Sequence, residues 1–124
     1  MDKYLLVLLG GAVGSLARYV TGVAVMHRYY GRFPLGTLIV NVSGCFLIGV
    51  IMTLIGEKPA AHPNWRLLLV IGFLGGFTTF SSFAYETYMA VRDGNRWIGL
   101  MNIVSSVVLG YLAVWLGAIS AARR

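Results

Sequence analysis

The stretch GGFTTFSSF, Gly75 to Phe83, lies inside a long apolar run. Two glycines followed by two threonines weaken a helix more than any other part of the chain. An unwound turn in lipid leaves backbone carbonyls without partners, so it survives only when buried in protein or facing a cavity. Freed carbonyls are ligands for a hard, oxygen-seeking cation. A kink filled by threonine hydroxyls is the plainer alternative. Phe80 and Phe83 are three residues apart and share a face. They either pack or turn their positive ring edges toward an anion.

Composition makes the surrounding run a membrane segment. The chain has 124 residues, 58% hydrophobic and 11% charged, with mean hydropathy +0.78. Soluble domains carry roughly 25% charged residues, and a chain this short cannot hide so much apolar surface from water. Apolar segments fall at Tyr4–Met26, Leu35–Ile55, Arg66–Val91 and Trp97–Ala118. Each approaches or exceeds the ~20 residues that cross a bilayer. The expected fold is an all-α membrane protein, one domain over residues 1–124, with four transmembrane helices and a break in the third. The surplus length of the third span suits a broken or tilted helix. The N-terminal run is too long for a signal sequence and reads as a retained span.

Net charge is +6, but the basic residues flank apolar segments, where they reach headgroups. Nucleic-acid binding is therefore not expected; membrane lipid is the expected surrounding. Lys3, Lys58, Arg66, Arg123 and Arg124 would lie on one side, and Arg28, Arg32, Arg92 and Arg96 on the other. That near-balance gives the positive-inside rule nothing to choose. It leaves a single weakly signalled topology or insertion both ways with antiparallel pairing, and the balance favours dual topology.

Charges within spans are few. Arg18 and Glu86 each cost ~2.5–3.5 kcal/mol at a helix centre and belong against protein or water unless they snorkel. Thr37 and Asn41 are four apart on one face, as are Asn102 and Ser106. Such residues either bond neighbouring helices or form a polar track. Gly10 and Gly14 form G-x-x-x-G, and Gly44 and Gly49 lie in the second span; close helix packing is their reading. Cys45 has no disulfide partner and reads as a small buried apolar residue. His27 and His62 read as loop surface. No nucleophile–base pair or metal-ligand cluster suggests an enzyme.

Gly72-Phe73-Leu74-Gly75-Gly76-Phe77-Thr78-Thr79-Phe80-Ser81-Ser82-Phe83, followed by Glu86, resembles the signature of the Fluc or CrcB fluoride channels. So do GGAVGSLAR ending at Arg18 and GTLIVNVSG around Asn41. The resemblance covers the whole chain. It implies an antiparallel, dual-topology homodimer with two fluoride pores at the subunit interface. It implies a fluoride pathway through Asn41, Phe80, Phe83, Asn102 and Ser106. It implies a structural Na+ held by the carbonyls of Gly75 and Thr78 from both subunits. Arg18, Thr37, Thr79, Ser81, Ser82 and Glu86 are further candidates. Some relatives carry a serine where this chain has Gly110, so the fourth-helix track departs from theirs. The implied function is passive fluoride export from the cytoplasm without ATP, in a bacterial inner (plasma) membrane. A small dual-topology, proton-coupled multidrug exporter using Glu86 is the alternative, and a non-transporting membrane assembly subunit a third reading.

Overall fold

The computed structural model describes residues 2–56 and 63–123. Lys58, His62 and Arg124, which entered the charge and loop readings, lie outside them. Helix α1 is Lys3–Met26, begun by Asp2, whose carboxylate accepts the Tyr4 amide at 3.3 Å. Helix α2 is Leu35–Gly56, just after Pro34. Helix α3 covers residues 63–77: a turn at Pro63–Trp65, a wide π-helical stretch Arg66–Leu74, and Gly75–Phe77. Helix α4 is Phe80–Arg92 and α5 is Arg96–Ala122. Between α3 and α4, Thr78 (φ −82°, ψ 157°) and Thr79 (φ −150°, ψ 117°) are extended. No strand occurs among the described residues.

Four segments are long and apolar enough to cross a membrane: Lys3–Met26, Leu35–Gly56, Pro63–Arg92 and Arg96–Ala122. The last runs beyond the expected Ala118 because residues 118–122, AISAA, contain no helix breaker. Buried hydrophobic side chains are few: Leu6, Val40, Leu74, Phe77, Ala113 and Ala121 among the described residues. Leucines, valines and aromatics cover the outside of every span. That inside-poor, outside-apolar distribution belongs to a multi-pass membrane protein, whose helices meet through small residues rather than a large core.

The two tightest seams follow the glycines. Helix α1 lies along α3, where a Cβ on Gly10 would run into the Leu68 carbonyl and one on Gly14 into that of Phe73. Helix α2 lies along α5, where a Cβ on Gly49 would strike the Val114 carbonyl and one on Gly117 that of Phe46. Backbone cannot yield as a flexible side chain can. Gly14→Leu or Gly49→Leu should therefore cost more than the roughly 1–3 kcal/mol of ordinary overpacking. Gly22, with nothing within 4 Å of its would-be Cβ, is the control. Gly22→Ala should be neutral or stabilising by up to about 1 kcal/mol, through helix propensity. Thermal midpoints of the three variants in detergent check this; equal midpoints would remove the backbone contacts as determinants.

Candidate functional site

The extended pair Thr78–Thr79 organises the polar residues. β-Branched threonines sit poorly in a helix, and Thr79 serves instead as N-cap of α4. Its hydroxyl accepts the Ser82 amide at 3.2 Å and donates to Ser82 Oγ at 3.1 Å. Ser81 Oγ lies 3.4 Å from the same hydroxyl. Thr78 turns its hydroxyl back to the Leu74 carbonyl at 2.8 Å.

Asn41, from the middle of α2, takes over the Thr79 peptide. Its Oδ1 accepts the Thr79 amide at 2.8 Å and its Nδ2 donates to the Thr79 carbonyl at 2.9 Å. The carboxamide thus imitates a paired backbone strand. This matters because Thr79 is buried, and each unsatisfied backbone group there would cost about 1–3 kcal/mol.

Diverted amides leave specific carbonyls behind. In a continuous helix the Thr79 amide would bond the Gly75 carbonyl, and the Ser82 amide that of Thr78. Thr79 donates to Asn41 and Ser82 to Thr79 Oγ1 instead. The Thr78 carbonyl receives Arg18 Nη1, at a long 3.4 Å. Arg18 therefore points its charge at backbone oxygen, sixty residues away in sequence.

Glu86, on α4, faces α2. Its Oε1 accepts the Thr37 hydroxyl at 2.8 Å. Its Oε2 is buried with no hydrogen-bond partner among the described residues. A cavity of about 650 Å³ brings together Arg18, Thr37, Thr79, Ser82 and Glu86, with Val40 in its wall. A second, of about 380 Å³, is lined by Asn41, Gly75, Thr78, Thr79 and Phe80. Cys45, expected to be buried, is half-buried and lines this second cavity.

Phe80 and Phe83 lie 5.6 Å apart between ring centroids, tilted by 50°. Phe80 is 79% exposed. Phe83 lines neither cavity. Asn102 and Ser106 form a separate cluster between α4 and α5, with Ser106 Oγ 3.4 Å from Asn102 Oδ1. Asn102 is 1% exposed and bonded to Thr87. Thr87 was not singled out from sequence. Its one signal there is its place four residues after Phe83 and one after Glu86.

Fold and site together define a multi-pass, all-helical membrane protein with charged and polar groups gathered around an interrupted membrane segment. The chain belongs to the CrcB family: the family model described as "CrcB-like protein, Camphor Resistance (CrcB)" matches residues 5–118. It is 63% identical to the "Fluoride-specific ion channel FluC" of Solibacter usitatus (strain Ellin6076), across 98% of this chain and 99% of that one. Like-named proteins of Acidobacterium capsulatum and Sulfurihydrogenibium sp. (strain YO3AOP1) are 49% and 42% identical. These alignments cover 94% and 98% of this chain, and the same shares of the two relatives.

Asn41→Leu should orphan the amide of Thr79, at about 1–3 kcal/mol, and take one of two donors from its carbonyl, which as the N-cap carbonyl of α4 keeps the first helical amide. Asn41→Asp keeps an acceptor for the amide but sets a carboxylate oxygen against the Thr79 carbonyl, and should also destabilise. Hydrogen exchange at Thr79 reads the effect locally. Unchanged protection in Asn41→Leu would mean that the carboxamide does not hold this peptide.

Proposed function

We propose that this chain is a fluoride-selective passive ion channel that exports cytoplasmic fluoride and so lowers its toxicity. The observation that carries the reading is end-to-end likeness, at 63% identity, to a protein named a fluoride-specific ion channel. Transport of this kind makes and breaks no covalent bond, so no enzymatic step and no ATP are involved. No observation favours the proton-coupled exporter. The reading sets one four-span domain in a bacterial plasma membrane.

The chemistry of the polar residues supports it. Fluoride is small and strongly hydrated, and a pore must replace its water with donors and positive ring edges. The tilted Phe80–Phe83 pair supplies edges. Asn41 Nδ2 carries two hydrogens; one is on the Thr79 carbonyl, and the other is left for an anion. Ser106, half-buried beside Asn102, supplies a hydroxyl. Weak sites in series allow the ion to enter and still to leave.

The assembly proposed is an antiparallel, dual-topology homodimer. The near-balance of Lys and Arg between the two sides supports insertion both ways. Phe80, highly exposed in the single chain, would then be covered by the second copy. A structural sodium ion fits the donor set at residues 75 and 78, where two carbonyls have lost their helical amides. Backbone oxygens suit a hard cation. Gly75 and Thr78 of both copies would hold it, and when bound it would offset the repulsion of like-oriented carbonyls. Arg18 occupies one side of the Thr78 oxygen, and a carbonyl has a second lone pair.

In liposomes the purified protein should release fluoride and retain chloride; retained fluoride would overturn the reading. Phe80→Ile and Phe83→Ile should each lower flux per dimer by about tenfold or more, through loss of a ring-edge interaction. The dimer should persist, because apolar volume is roughly kept. Normal flux per dimer would return the two rings to packing. Assembly has its own checks. Tags on both termini should be accessible from both membrane sides, which a uniform orientation would contradict. Replacing sodium by a large organic cation during purification should reduce the dimer fraction. Indifference to every small cation would remove the ion from Gly75 and Thr78.

A further inference from the structure

A polar relay runs along the seam between α4 and α5. Thr87 Oγ1 donates to the Phe83 carbonyl at 2.8 Å, and Asn102 Nδ2 donates to Thr87 Oγ1 at 2.9 Å. Ser106 Oγ donates to Asn102 Oδ1 at 3.4 Å. Asn102 is 1% exposed, whereas Thr87 and Ser106 are half-buried. Gly99 lets the seam close. A Cβ there would stand 2.8 Å from Val91 Cγ2 and 3.5 Å from the Thr87 carbonyl oxygen.

Hydrogen counting fixes the direction of the relay. A hydroxyl has one hydrogen. Thr87 spends its own on the Phe83 carbonyl, so it offers Asn102 only lone pairs. Asn102 must turn its NH2 toward Thr87 and therefore its oxygen toward Ser106. The orientation of a buried carboxamide, which is otherwise free to reverse, is thus set by one neighbouring hydroxyl.

We propose that Thr87 is a positioning residue for conduction: by fixing the Asn102 carboxamide, it makes the Ser106 hydroxyl a releasable donor to the permeating anion. This rests on the channel reading above, in which Ser106 borders the fluoride path. Fluoride accepts hydrogen bonds and donates none. At rest the Ser106 hydrogen lies on Asn102 Oδ1 over the longest bond of the relay, beyond the usual O–H···O length of about 2.5–3.0 Å and so weak. An arriving anion draws that hydrogen away by rotation of the hydroxyl. When the anion leaves, Asn102 Oδ1 takes the hydrogen back. With the carboxamide reversed, an NH2 would face Ser106. Ser106 would accept from it and point its own hydrogen outward permanently. The anion would be held more tightly and released more slowly, against the need for weak sites in series.

The test compares wild type, Thr87→Val and Thr87→Ser as flux per intact dimer against fluoride concentration in liposomes. Thr87→Val removes the hydroxyl at nearly constant volume. It should lower both the maximal flux and the half-saturating fluoride concentration by about fivefold, the worth of one net hydrogen bond. Thr87→Ser keeps the hydroxyl and should restore both. A purely structural role predicts fewer intact dimers with an unchanged concentration curve, and that result would overturn the proposal. A second readout holds even where Thr87→Val assembles poorly. In 15N-labelled wild type, one Asn102 side-chain NH2 proton should exchange slowly and keep its position when fluoride is added. Fast exchange, or a direct shift by fluoride, would overturn the orientation argued here. A wild type that passes no fluoride would overturn the channel reading itself. A conducting wild type matched by Thr87→Val would overturn the role of Thr87 alone.

Discussion

Two hydrogen bonds between the Asn41 carboxamide and the Thr79 peptide hold this structure's polar residues in place. An extended pair of residues inside a membrane segment would otherwise present the bare Thr79 amide to an apolar medium. Helix α3 cannot supply the missing acceptor, because the chain has left it there. A carboxamide can, since it carries a donor and an acceptor at the spacing of a peptide group. Leucine at position 41 supplies neither and aspartate lacks the donor. With Asn41 in place, α3 ends and α4 begins again within two residues. The second start brings Thr79, Ser81 and Ser82 into one cluster of hydroxyls.

The interruption also sets two helix ends of opposite polarity close together. The last turn of α3 presents carbonyls, the partially negative end of its dipole, and the first turn of α4 presents amides, the positive end. One short segment thus favours a cation on one side and an anion on the other. Arg18 meets the carbonyl side at Thr78, as the dipole argument requires. Phe80 and Ser81 stand at the amide side. A continuous helix of leucine would have its dipole ends near the membrane surfaces, where water weakens them.

Much of this architecture is legible in the amino-acid sequence. Apolar run length picks out the four long apolar helices, since lipid tolerates little else. The Thr37–Asn41 and Asn102–Ser106 spacings identify shared faces. They do not say which helix each face meets. Asn41 bonds a peptide 38 residues away, Thr37 a carboxyl 49 away and Arg18 a carbonyl 60 away. Such pairings depend on helix order around the bundle, which periodicity does not encode. The π-helical stretch Arg66–Leu74 was invisible for a related reason: RLLLVIGFL is equally apolar whichever turn it takes. Thr87 has no polar neighbour three or four residues away in the sequence to mark a shared face. Only the approach of α5 at Gly99 gives it a partner.

The first cavity shows why the two intramembrane charges are not simply a salt bridge set in lipid. Arg18 and Glu86 both line it, yet the sole ion pair among the described residues is Arg92 with Asp93. Had they paired, each would have neutralised the other and filled the space between. Arg18 instead bonds the Thr78 carbonyl, and Glu86 accepts from Thr37. Each group is therefore partly satisfied by a neutral dipole rather than by the other. Side chains tethered to fixed dipoles lose their freedom to collapse onto one another. That arrangement carries a desolvation cost that an apolar packing would avoid. Its return is a cavity with polar lining that reaches from Pro34, just before α2, to Thr79, where the helix starts again.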